Sequence, residues 1–316
     1  MKRILLALLL STSVSAAPAL AADPPLWAFP VGQAYVAPPP ETGEQLKVPN
    51  SDKSFTRTQL RNIFSVPDWH PESHPPMPDV VAKGKAPKLW ACGYCHLPTG
   101  QGRPENSSLA GLDQGYMIQQ VLDMKEGKRK VSQPKMEPVV RMHEAAEAVS
   151  LEDLQTATEY FSNLKYKPWI KVVETDKVPK TKIMAMYVPL DGTETEKLGD
   201  RIIEVPEKPD LTDIRDFQTG FIAYVPKGAV KRGETLAKKG VNGGAPCATC
   251  HGPDYKGLGP VPTLAGRSPT YTGRQLWNMR EGFRHGTWSA LMAQTVVELK
   301  DKEIIDLAAY FASLKP

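Results

Sequence analysis

The chain has 316 residues, with 39 Lys and Arg against 35 Asp and Glu and a formal charge of +4. That length accommodates two domains at the usual ~100–200 residues each, and a small charge with no basic run interleaved with aromatics argues against nucleic acid as a partner. Thirty prolines, concentrated in residues 22–80 and in the centre, predict long ordered but irregular stretches between compact units.

At the amino terminus Met1-Lys2-Arg3 precedes an apolar run, Ile4 to Leu10, and small residues ending in Ala19-Leu20-Ala21. Residues 1–21 therefore read as a signal peptide cleaved near Ala21. No later stretch approaches the ~20 apolar residues of a membrane span, so the mature chain is expected in the periplasm without a span, and nearly neutral once Lys2 and Arg3 are gone. Residues 22–80 form a proline-rich arm. Its segment Trp69 to Pro78 carries His70, His74 and Met77, which could ligate copper or replace an axial group, but four prolines in ten residues favour a stiff extended arm packed on the first compact unit.

Next comes Cys92-Gly93-Tyr94-Cys95-His96, and the pattern returns as Cys247-Ala248-Thr249-Cys250-His251, using all four cysteines of the chain. Two thiols one helical turn apart can add across the two vinyl groups of one porphyrin, while the adjacent His reaches the iron from one face. Zinc held by paired knuckles, a redox pair or disulfides would each leave the two histidines unexplained. Two covalently bound haem c groups are expected.

The repeat extends beyond the motifs. An offset of 155 places Cys92 on Cys247, Leu109-Ala110-Gly111 on Leu264-Ala265-Gly266, Tyr116 on Tyr271, Gln120 on Gln275, Met124 on Met279 and Glu126-Gly127 on Glu281-Gly282. Further on, Tyr160-Phe161 matches Tyr310-Phe311 at an offset of 150, so the first copy holds five extra residues before its last helix. Each copy is expected to be one haem domain, residues 81–167 and 231–316. Residues 115–127 and 270–281 should be helices stopped by Gly127 and Gly282. A final helix opens at Ser150, with an apolar stripe Leu154, Ala157, Phe161, Leu164 that recurs as Ile304, Leu307, Phe311, Leu314. Between the copies, residues 168–230 form a β-rich connector: 181–188, 200–205 and 219–225 are rich in β-branched and aromatic residues. Met184 and Met186 within it read as packing, and His285 as a surface residue ahead of Met292.

Paired C-x-x-C-H motifs, each followed by Leu-Ala-Gly, a tyrosine-led helix and a terminal helix around Tyr160-Phe161 or Tyr310-Phe311, resemble the dihaem class I cytochromes c of the cytochrome c4 type. The resemblance implies a mainly α fold: two tandem class I cytochrome c domains joined by the β-rich connector and preceded by the proline-rich arm. It implies His96 and His251 as proximal iron ligands and a methionine on the other face. For the second haem that is Met292, which precedes Tyr310 by 18 residues; the same interval before Tyr160 gives Met142, whereas counting forward from the first motif gives Met136, and His143 is a neighbouring alternative. The family's proline carbonyl that accepts from the proximal His matches Pro262, with Ser107 in the first copy. A thioether ligand raises the potential and fills the iron's last position, which implies a relay of single electrons between redox proteins (a dehydrogenase, an oxidase or another cytochrome). The alternatives are a cytochrome subunit of a periplasmic dehydrogenase and a dihaem enzyme of peroxidase or thiosulfate-oxidising type. Lys238, Lys239, Arg267, Arg274, Arg280 and Arg284 suggest an acidic partner beside the second haem.

Overall fold

Prolines and glycines set the limits of the helices. The computed structural model describes residues 23–32 and 41–316, so the signal-peptide residues lie outside the described ones. The helices of residues 41–91 are single turns, α1 (Arg57–Leu60), a 3-10 turn at Pro71–Ser73 and α2 (Asp79–Ala82). Pro75, Pro76 and Pro78 lack the N–H that an earlier turn would need, which holds α2 to one turn. The first half continues with α3 (Cys92–His96), α4 (Gln114–Lys125), α5 (Glu137–Ala148) and α6 (Leu151–Ser162). Asp113 and Ser150 cap α4 and α6 by accepting from Tyr116 and Asp153 N–H. Gly127 follows α4 at φ 67°, in the left-handed region where a helix ends most easily on glycine.

The connector holds β1 (Ile170–Glu174), β2 (Lys177–Pro179), β3 (Thr181–Met184), β4 (Met186–Pro189), β5 (Thr195–Lys197), β6 (Ile203–Pro206), α7 (Pro209–Asp213) and β7 (Phe221–Val225). Strands β1 and β7 pair parallel and β6 joins β7 antiparallel. The single strand expected over 181–188 is instead a hairpin, β3 against β4, reversed at Ala185 with φ 62°. Met186 is buried with Trp169 and Phe221, while Met184 is 56% exposed, so neither is placed as a ligand. Glu204 on β6 is buried where it accepts from the Ser268 hydroxyl at 2.7 Å and the Thr270 N–H at 3.3 Å. Burial pushes its carboxyl up to about 7 despite those hydrogen bonds.

The second half comprises α8 (Ala229–Lys239), α9 (Ala248–His251), α10 (Pro269–Arg280), α11 (Ala290–Val296) and α12 (Asp301–Ser313). Free of proline, α8 runs for 11 residues where the first half has one turn. It crosses α12 at contact: a Cβ on Gly233 would lie 1.9 Å from the Asp306 carbonyl oxygen. Beside that crossing Arg232 donates twice to the Asp306 carboxylate, at 2.8 and 2.7 Å. Two clusters form the main core, one around Met117, Val121, Leu154 and Phe161, the other around Trp277, Ile304, Leu307 and Phe311. The arm does not pack wholly on the first half as expected, because Trp27, Ala28 and Phe29 are buried in the second cluster.

Candidate haem sites

Each C-x-x-C-H run folds into a short helix that directs its histidine inward. His96 and His251 are buried, and each ring holds Nδ1 2.8 Å from a backbone carbonyl oxygen, that of Ser107 and that of Pro262. A carbonyl can only accept, so Nδ1 carries the proton and Nε2 keeps a lone pair, the form that binds a metal. Burial lowers the pKa of both rings, outweighing the carbonyls, which favours this neutral form. Ser107 thus stands at the same distance as Pro262, without the proline ring. Burial likewise pushes the Cys92 thiol up to about 12 and the Cys247 thiol up to about 11.

Beside His96 lies a cleft of about 1560 Å³, counting its mouth, lined by Cys92, Cys95, Met117 and Phe161. Met142 and His143 on α5 line it too. Met136 is absent from this lining; it is 1% exposed and packs in the cluster of the second half. The five extra residues of the first copy explain the separation. They fall in the loop Lys130 to Met136, which answers to His285 and Gly286, so Met136 belongs to the insertion and ends as the residue before α5. After the insertion the copies are again in step: Met142 on α5 answers to Met292 on α11, which packs half-buried against the second cluster. His285 is exposed, and His70 and His74 are engaged elsewhere, His70 with Asp216 and His74 with Asp68, each at 3.2 Å. Among the described residues no group of three or more His, Cys, Asp or Glu could hold a bare metal ion.

Where α4 meets α10 the two copies join through a polar network that repeats itself. Arg129 donates to Gln120 (3.2 Å), Tyr271 (3.2 Å) and Gln275 (3.1 Å). Arg284 donates to Gln275 (3.0 Å), Tyr116 (2.9 Å) and Gln120 (2.7 Å). These are the same three residue types with the copies exchanged, since Arg129 and Arg284 are themselves 155 apart. The sequence reading stopped the gapless match at Gly127 and missed this pair two positions on. Burial raises the Tyr271 hydroxyl, but the Arg129 and Arg284 charges outweigh it and hold it at about 8. Buried Arg274 and Arg267 also donate only to backbone carbonyls, of Ala28 and Pro104 and of Ser108 and Ala110. Among the described residues these four guanidiniums have no carboxylate partner. Three of the cations expected to face a partner, Arg267, Arg274 and Arg284, are therefore internal, Arg280 is paired with Glu281 and Asp301, and Lys238 with Glu234.

The residues fit a haem. The cleft offers an apolar wall, two thiols, an imidazole with a free lone pair and a thioether, and its lining carries the guanidiniums of Arg129 and Arg274, the hydrogen-bonding side chains of Tyr271 and Gln275, and the buried carboxylate of Glu105. Buried cations require a counter-charge, and the two carboxylates of a haem are such anions.

Comparison with known proteins agrees with this chemistry. The family profile described as cytochrome c matches residues 230–315. Cytochrome c-554(548) of Halomonas halodenitrificans is 43% identical over 68 residues, 21% of this chain and 82% of that protein. Cytochrome c4 of Stutzerimonas stutzeri is 24% identical over 234 residues, 72% of this chain and 86% of the relative. A protein named thiosulfate dehydrogenase electron acceptor, from Stutzerimonas stutzeri strain A1501, is 27% identical over 236 residues, 73% of this chain and 82% of its own length. With its cysteine pairs, buried neutral histidines and repeated architecture, the chain belongs to the cytochrome c family and is a cytochrome c4-like class I cytochrome.

Proposed function

We propose that the protein is a periplasmic dihaem c-type cytochrome, built as two tandem class I domains (residues 81–167 and 231–316), that relays single electrons between redox proteins. The observation that carries this reading is the duplicated histidine geometry, Nδ1 to carbonyl at 2.8 Å directly after each cysteine pair. In this reading Cys92, Cys95, Cys247 and Cys250 would hold two haems covalently, and His96 with Met142 and His251 with Met292 would ligate their irons. Bound haem supplies an iron that changes by one electron. The chain's own residues do the rest: the Ser107 and Pro262 carbonyls fix the imidazoles, and the methionines favour Fe(II) and close the position a substrate would need. That closure supports a carrier over a dihaem enzyme. The relative named as an electron acceptor for thiosulfate dehydrogenase supports a dehydrogenase as one donor, and no helix among the described residues is long and apolar enough to cross a membrane. Equilibrium redox titration of the purified protein should resolve two one-electron components with no ligand bound on added cyanide at neutral pH. Rapid cyanide binding to one ferric haem would favour the enzyme instead.

A further inference from the structure

The two cysteine motifs lie in different surroundings, and the residues responsible occupy matching places in the copies. Trp90 precedes the first cysteine pair and Tyr94 lies between its members, where the offset of 155 puts Ala245 and Thr249 in the second. Each aromatic ring carries a guanidinium: Arg141 lies 5.3 Å from the Trp90 ring centroid and Arg215 3.9 Å from that of Tyr94. Arg215 also donates to the Tyr94 carbonyl. The place of Arg141 is taken in the second copy by Leu291, which is 66% exposed.

Arg215 is held over the motif by the arm and the connector together. Buried Trp69 donates its Nε1–H to the Ile214 carbonyl at 2.8 Å, and buried His70 holds Nε2 3.2 Å from the Asp216 carboxylate, so both neighbours of Arg215 are fixed. Arg103 donates to the Thr212 carbonyl at 2.9 Å, and the Ala91 N–H donates to the Ile63 carbonyl at 3.0 Å. The second motif has no such cover among the described residues: Ala245, Pro246, Thr249, Cys250 and Pro253 are exposed, and nearby Leu258 is 64% exposed.

We infer that the chain opens only its second haem site to external redox reagents, the first being closed at its cysteine edge by the Trp90–Arg141 and Tyr94–Arg215 pairs. This rests on the two-haem reading above. Exchange at the cysteine edges then occurs at Cys247–Cys250, the half-buried Cys92 and Cys95 being covered by the two aromatic–guanidinium pairs.

The test uses the intact holoprotein. The native cysteines are consumed by thioether bonds, so Leu258→Cys offers a single thiol for a bulky polyethylene-glycol maleimide. Stopped-flow reduction by a ferrous EDTA complex should slow for both haems together once this label is attached. Adding Arg215→Gly, which suits the left-handed φ of 69° at that residue, should return one haem of the labelled protein to the unlabelled rate. Tyr94→Thr, which copies the second motif, should do the same by a different route. If one haem of the labelled protein is reduced at the unlabelled rate with Tyr94 and Arg215 intact, or if the label slows neither, the first edge is open and the inference is wrong. Independently of electron transfer, backbone amides of residues 91–97 should exchange hydrogen more slowly than those of 247–252 and speed up with Arg215→Gly; equal exchange in the wild type would also overturn it. Intact mass counts the haems in every sample, so failure of the two-haem reading appears there and not in the rates.

Discussion

Met142→Ala should abolish the thioether-to-iron charge-transfer absorption of one ferric haem and leave that of the other, while Met136→Ala should keep both bands and lower stability instead. Both residues follow the first motif and both are Met, but they are placed differently. Met142 lines the cleft beside His96, whereas Met136 is 1% exposed in the core of the second half. Truncating a fully buried Met costs ~2–5 kcal/mol through lost burial and the cavity left behind. Electronic spectra of the oxidised variants and thermal unfolding separate the two effects. Loss of a band in Met136→Ala with none lost in Met142→Ala would move the ligand to Met136.

Gly233→Leu should unfold or grossly destabilise the second half, by more than ~4 kcal/mol. At this position α8 touches α12 backbone to backbone, beside the bidentate Arg232–Asp306 pair: the first atom of any side chain would stand 1.9 Å from the Asp306 carbonyl oxygen. Gly115→Ala on α4 is the control. Its nearest neighbours to an added Cβ are the Asp113 carboxylate at 3.3 Å and the Trp288 ring at 3.7 Å, and alanine favours a helix by ~0.5–1 kcal/mol over glycine. Calorimetry of the holoprotein should show a large drop in the melting temperature for Gly233→Leu and little or no drop for Gly115→Ala. Equal behaviour would mean that α8 and α12 do not cross at Gly233.

What the sequence made legible followed from strict local chemistry. The C-x-x-C-H motifs, the glycine stops at Gly127 and Gly282, and the apolar stripes on the last helices each depend on a spacing of a few residues, and the structure puts helices there. Pairing between distant segments was less visible. The run Ile170 to Glu174 is as β-branched as the strands expected over 181–188, 200–205 and 219–225, and it is a strand because β7 lies beside it. The turn at Ala185 split one apparent strand into two because only a tertiary setting makes a non-glycine residue reverse the chain. Buried arginines mislead most, since Arg267, Arg274 and Arg284 look in sequence like any surface cations, and only the fold shows them turned inward on carbonyls, glutamines and tyrosines. The Arg129–Arg284 match was available in the repeat itself, and its meaning lay in the contact between α4 and α10.

The central claim is that each cysteine pair carries one covalently attached haem. Intact-mass spectrometry of the denatured protein, produced in a host that attaches haem to exported c-type proteins, tests it most directly. The expected mass is that of the mature chain plus two haems, falling to one haem in a Cys247→Ala, Cys250→Ala double variant and likewise in Cys92→Ala, Cys95→Ala. A wild-type mass equal to that of the polypeptide alone, or of the polypeptide with a single haem, would contradict it.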